Sequence, residues 1–194
     1  MKVLLHACCG PCLLEPFDAL VAEHDVTVLY ANPNIHPAEE YRKRRDTLLA
    51  YAAEHDIAVI EEPYDPTLWA QAVAGLEGNP AERCRACFRL RLGIAARTAA
   101  SLGMDAIATT LTVSPYQDQA AVAEAGATAA DEAGIAYLDA DFRERYPEAT
   151  RRSRELGMYR QNYCGCALSD SEAQAEREAR REERKAKRAQ QEAG

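Results

Sequence analysis

Apolar positions along this chain fall into two rhythms. Short runs in which nearly every residue is apolar, Lys2 to His6 (KVLLH), Val26 to Tyr30 (VTVLY), Ile57 to Ile60, Asp105 to Thr110 and Ile135 to Leu138, predict buried strands. Between them, stretches near 13–23, 37–54, 66–76, 82–102 and 117–133 carry longer helical patterns. Strands alternating with helices of this length imply βαβ units. The predicted fold is therefore a three-layer α/β structure, Rossmann-like or nucleotide-hydrolase-like, with a mainly parallel sheet and helices on both faces. Such sheets bind ligands beyond the carboxyl ends of their strands. Cys8, Cys9 and Cys12 follow the first strand, Asn32 to Pro37 the second, and Thr110 to Tyr116 a later one. Three polar or thiol-bearing loops are thus expected at one edge.

Local punctuation divides the chain further. Pro33 and Pro37 bracket a stiff loop, with Pro37 suited to a first helical turn, and Gly78-Asn79-Pro80 breaks the chain before a helix starting near Glu82. After Cys166 the character changes to Ala, Glu, Arg and Gln, with one Leu and no aromatic residue. We read residues 1–168 as the α/β domain and 169–194 as a charged tail, either a solvated helix laced with Glu/Arg pairs or partly disordered. No internal repeat is visible.

Composition adds limits. Of 194 residues 47% are hydrophobic and 28% charged, the balance of a soluble globular protein. No apolar run nears the ~18 residues that cross a bilayer, so no membrane partner is expected. The N-terminus is too short in apolar residues for a signal peptide, which predicts a cytoplasmic protein. The net charge of −8 argues against a generic nucleic-acid coat. Arginine is nevertheless locally dense at 42–45, 83–91 and 151–160.

The seven cysteines fall in three clusters: HACCGPC (Cys8, Cys9, Cys12), RCRAC (Cys84, Cys87) and YCGC (Cys164, Cys166). Scattered cysteines serve as small apolar residues, but clustering points to metal or redox chemistry. Cys84 and Cys87 lie one helical turn apart near a helix start, where the positive helix end and neighbouring arginines are expected to lower their pKa values. With Cys8 and Cys9 they make a four-thiolate set fit for zinc or an iron–sulfur cluster, and the spacing does not choose between them. Cys9-Gly-Pro-Cys12 alone also reads as a thioredoxin-like exchange motif. Cys164-Gly-Cys166 can close a small, strained disulfide of catalytic type, or supply two more metal ligands.

Five ordered blocks, HACCGPC, NPNIHPAEEYRKR, GLEGNPAERCRACFRLRL, TTLTVSPYQD and MYRQNYCGC, resemble the epoxyqueuosine reductase QueH family from residue 3 to about residue 168. The resemblance implies a cobalamin-independent oxidoreductase that removes the epoxide oxygen of epoxyqueuosine at the wobble position of tRNA, the last step of queuosine synthesis. It implies a [4Fe-4S] cluster on Cys8, Cys9, Cys84 and Cys87, a redox-active disulfide between Cys164 and Cys166, and one additional iron for which Cys12 is our candidate. An electron donor is also implied, unidentified. The fold expected from the resemblance is that of nucleotide-binding enzymes of tRNA sulfur chemistry. No SGGxDS phosphate loop follows the first strand, so ATP use is not expected. Departures are small: CCGPC where CCAPC is commoner, and Gln117 where Lys is commoner.

A tRNA substrate calls for cationic contacts, so the arginine clusters are expected to form a basic rim around the site. Tyr41, Trp69 and Tyr159 are candidates to stack on a splayed base, with core packing the favoured role for Trp69. Tyr116, Tyr163 and His36 are candidate proton donors, each set against a plain packing or capping role. The rivals are a thiol–disulfide exchanger and a structural zinc protein.

Overall fold

Alternation at the scale of single residues explains how the sheet is covered. The computed structural model describes residues 1–192; residues 193–194, the end of the predicted tail, lie outside the described residues. Strands β1 (Lys2–His6), β2 (Asp25–Tyr30), β3 (Val59–Glu61), β4 (Ala106–Thr109) and β5 (Ala136–Tyr137) form one parallel sheet in the order β3-β2-β1-β4-β5. Val3, Leu5, Val28, Tyr30, Ala106 and Ala108 face one side and pack on helices α1 (Gly10–Val21) and α2 (Ala38–Glu54) through Leu13, Leu14 and Leu48. Leu4, Leu29 and Ile107 face the other, where α4 (Pro80–Ser101) and α5 (Gln119–Ala133) supply Phe88, Leu92, Ala96, Val122 and Ala125. Both faces are buried, so the strands read as unbroken apolar runs rather than as alternating ones.

Short side chains let α4 and α5 sit close to the sheet. Gly126 shows how close: a Cβ there would lie 2.4 Å from the Tyr137 ring. Helix starts follow polar caps. Asn79 accepts from the Glu82 amide, Asp118 from Ala121 and Asp65, before the short helix α3 (Pro66–Ala72), from Thr67. The cap at Asn79, with Pro80 next, starts α4 two residues earlier than expected.

Helix α6 (Tyr146–Glu155) is absent from the expectations because its sequence, YPEATRRSRE, buries only Ala149 and Ser153 and has no apolar stripe. It packs on α1 instead through Arg152, which donates to Glu15 and Asp18. The last element is α7 (Ala167–Glu192), helical through 26 residues. Among the described residues no helix is long and apolar enough to cross a membrane.

Candidate functional site

The sheet order places its topological switch between β1 and β4, where chains leave in opposite directions and a crevice opens at the carboxyl edge. Two residues past β1 the Cys8 amide donates to Thr110 Oγ1 at 3.3 Å, and that hydroxyl donates to Cys8 Sγ at 3.6 Å. Cys9 then ends the extended segment, and α1 begins at Gly10, so the chain bends sharply and both adjacent cysteines turn inward. The sulfurs of Cys8, Cys9 and Cys12 all lie within 4.8 Å of one another. Three soft ligand atoms so close can hold a metal ion.

Charge at the trio is uneven. Hydrogen bonds from Cys12 and Cys9, ahead of opposing burial and the nearby Arg91 guanidinium, hold the Cys8 thiol well below its usual range. Burial pushes Cys9 up to about 12, and Cys12 is raised chiefly by its bonds to Cys8 and Cys9. His6 below them is driven down to about 3 by burial first and Arg91 next, so it stays neutral, with its ring nitrogens on Thr109 Oγ1 and the Ala31 carbonyl.

Arg91 is the central cation. It is fully buried on α4 and donates to Asn32 Oδ1 at 2.6 Å, while Asn32 Nδ2 donates to the Ala7 carbonyl. Its charge acts on Cys8 and Cys87 alike. Cys84 and Cys87 sit in the second and third turns of α4, beyond the reach of the helix start. The expected lowering of their pKa values does not occur. Burial raises both, Cys87 to about 12, and the neighbouring thiols Cys164 and Cys166 add to the rise. Cys87 and Cys166 pack with Trp69 and Val73. The sulfurs of Cys8 and Cys9 stand with that of Cys12, and Cys84 and Cys87 neighbour Cys164 and Cys166.

Cys164 and Cys166 are free thiols here, Cys164 exposed and Cys166 buried. Their loop is pinned from α2. Arg44, 1% exposed and paired with Glu40 at 2.7 Å, donates to the carbonyls of Cys164 (3.0 Å) and Tyr163 (3.3 Å). The His36 amide donates to the Gly165 carbonyl, and Gln117 Nε2 reaches Cys164 Sγ at 3.8 Å. Gly165 has φ +129°, and a Cβ on it would meet Arg44 Nη1 at 2.9 Å. Cys166 Sγ accepts from the Ser169 amide at 3.3 Å, which makes it the cap of α7.

Other expectations need correction. The arginines do not form an open basic rim. Arg44, Arg83 and Arg91 are buried, Arg83 clasping Glu172; Arg151 pairs with Glu148 and Glu155; Arg85 with Glu124; Arg152 braces α6 on α1. An acidic chain spends its cations on its own carboxylates. Among the described residues Arg42, Arg154 and Arg160 make no ion pair. Tyr41 stacks on Tyr64 and is buried, Trp69 is core, and Tyr159 donates to Glu40 Oε2. Tyr163 donates to the His36 carbonyl, and Tyr116 stands 82% exposed. The exchange-motif reading also fails on geometry: Cys9 is fully buried with a raised pKa, where an exchanger presents an exposed, acidic thiol.

Matching the sequence to known families settles the kinship. The family described as Epoxyqueuosine reductase QueH aligns with residues 3–172. The chain belongs to this family. The Epoxyqueuosine reductase QueH of Dehalococcoides mccartyi is 37% identical over 173 residues, covering 88% of this chain and 93% of that protein. Those of Thermotoga maritima (34% over 174 residues; 86% and 89% covered) and Streptococcus pyogenes (33% over 178; 87% and 70%) are similar to it as well. All of the cysteines fall within the stretch aligned to the QueH family.

Sequence reasoning did not single out Gln161, placed Asn32 and Thr110 only within the edge loops, and read Arg44 and Arg91 as part of a surface rim. Arg44 had a signal, Glu40 four residues earlier. For Arg91 and Gln161 no local pattern marks a buried role.

Proposed function

We propose that this chain reduces epoxyqueuosine in tRNA to queuosine. The reading is supported by one observation above all: a soft, thiol-rich centre at the switch point of a sheet in a chain of the QueH family. The reaction breaks both epoxide C–O bonds, forms a carbon–carbon double bond and releases the oxygen as water, consuming two electrons and two protons. Oxidation of a Cys164/Cys166 dithiol to a disulfide yields two electrons and two protons, the same amount, and an external electron donor restores the dithiol.

The donor set fits an iron–sulfur centre. Sulfur ligands are buried or nearly so, Arg91 offsets their negative charge, and Thr110 and Gln161 direct donors at sulfur. Cys8, Cys9, Cys84 and Cys87 would hold a [4Fe-4S] cluster, and Cys12 an additional iron. Such a centre supplies single electrons and a Lewis-acidic iron toward oxygen. The chain's own residues do the rest. Arg91 keeps the thiolates charged, His6 gives up no proton, and Arg44 fixes the loop that brings Cys164 to the edge. Arg160, beside Cys12 in a small cavity, is placed to meet the RNA backbone. The setting for such a reaction is the cytoplasm, where tRNA is modified.

Purification without oxygen, with iron and sulfide counts and an assay on epoxyqueuosine-containing tRNA, tests this. About four iron and four sulfide per chain, or a fifth iron, with loss of one oxygen from the nucleoside is the expected result. A colourless protein that holds zinc or nothing after reconstitution, or an iron-loaded protein that leaves the epoxide intact, overturns it.

A further inference from the structure

Gln161 carries the most lopsided hydrogen bonding at the site. Its Nε2 donates to Cys9 Sγ at 2.9 Å and points toward Cys12 Sγ at 3.9 Å. Its Oε1 is sealed from solvent with no partner among the described residues. A carboxamide can turn over and exchange its two ends, so this orientation is a choice. A neutral thiol is a weak acceptor, and aiming an amide at one while stranding an oxygen is unfavourable. The balance reverses when the sulfur carries charge, as a thiolate bound to a cation does. Buried groups left unsatisfied in this way mark sites built for something other than stability.

We propose that Gln161 is a positioning residue for metal-bound Cys9. Its N–H···S bond fixes the direction in which Cys9 presents its sulfur, which strengthens the trio's hold on a thiophilic cation, and draws off part of the thiolate charge, which raises the reduction potential of the centre. The inference rests on the reading that the cysteine trio holds metal, and goes beyond it by assigning a residue that is not a ligand. Placement supports it. Gln161 stands three residues before Cys164, on a segment without regular structure that Arg44 and His36 pin in place. It also lines a cavity of about 60 Å³ with Cys12, Tyr146 and Arg160.

Cobalt(II) titration of the metal-free full chain under anaerobic conditions, read by thiolate-to-cobalt charge-transfer absorbance, tests the assignment without any tRNA. Gln161→Met keeps the length of the side chain and removes the donor; Gln161→Asn keeps the amide and draws it out of reach. Each is expected to weaken cobalt binding about tenfold, the usual cost of losing a group that supports a ligand. Metal-free unfolding midpoints should stay unchanged. After iron reconstitution, the midpoint potential of each variant should fall below the parent's. If one variant fails to fold, the other decides. Equal cobalt affinity and equal potential in parent and variants would overturn the role of Gln161 alone. Absence of the cobalt band in the parent would overturn the metal reading and this role together. Absence of reductase activity in the parent, with cobalt behaviour as expected, would leave Gln161 assigned and count against the proposed reaction instead.

Discussion

The cysteine trio and the Cys164–Cys166 loop stand at the same edge of the sheet, yet they are held by different means. Cys8, Cys9 and Cys12 lie where a strand becomes a helix, so backbone ladders and the core on either side fix them. The loop has no ladder. Its backbone is held by one buried guanidinium, one amide from the His36 turn and a glycine at φ +129°. Positions fixed by secondary structure suit ligands that must stay put. A segment tied by a few side-chain bonds is separable from the core without unfolding it, as the redox role proposed for this pair requires.

That contrast is breakable. The largest effect should come from Arg44→Leu, which strands a buried Glu40 carboxylate and frees two carbonyls; a loss of about 3–5 kcal/mol in denaturant unfolding is expected. Arg44→Lys retains the charge without the fork and should lose less. If Arg44→Leu unfolds no more easily than the parent, the loop is held by something else. Next is Gly165→Ala, which combines a positive φ with a contact on Arg44 and should cost about 1–3 kcal/mol. Its signature is local: alkylation of Cys164 and Cys166, followed by mass spectrometry of the metal-free protein, should quicken while Cys9 stays protected. Gly126→Ala provides the opposite control. Pressing on Tyr137 should cost a similar ~1–3 kcal/mol and leave every thiol's labelling rate unchanged. Smallest is Asn79→Ala, about 1 kcal/mol from a lost helix cap, read as a lower melting temperature.

Much of the fold was legible because burial on both faces writes parallel strands as apolar runs. β1 matches its expected span, β2 differs by a residue at one end, and β4 by a residue at each end. α6 was not legible, since it is held by ion pairs rather than an apolar stripe. At the site, the clustering of cysteines and the rule of the carboxyl edge point to the right loops. They do not tell which cysteines become neighbours, because that depends on how far α4 runs past its cap. Nor does a run of arginines reveal its use. Arg44 and Arg91 look like surface charge in the sequence and turn out to be interior struts, a difference decided by carboxylates and carbonyls distant in the chain.

Cys166 has one more consequence. Its sulfur accepts the Ser169 amide and its carbonyl accepts the Asp170 amide, so the first turn of α7 winds from this residue. α7 is a rod of 26 residues, ~39 Å at ~1.5 Å per residue, with Arg83 clasping it at Glu172 near its root. Cys166 thus ends one loop and begins one helix, and a change at its sulfur is felt in the first turn of α7 as well as at the edge of the sheet.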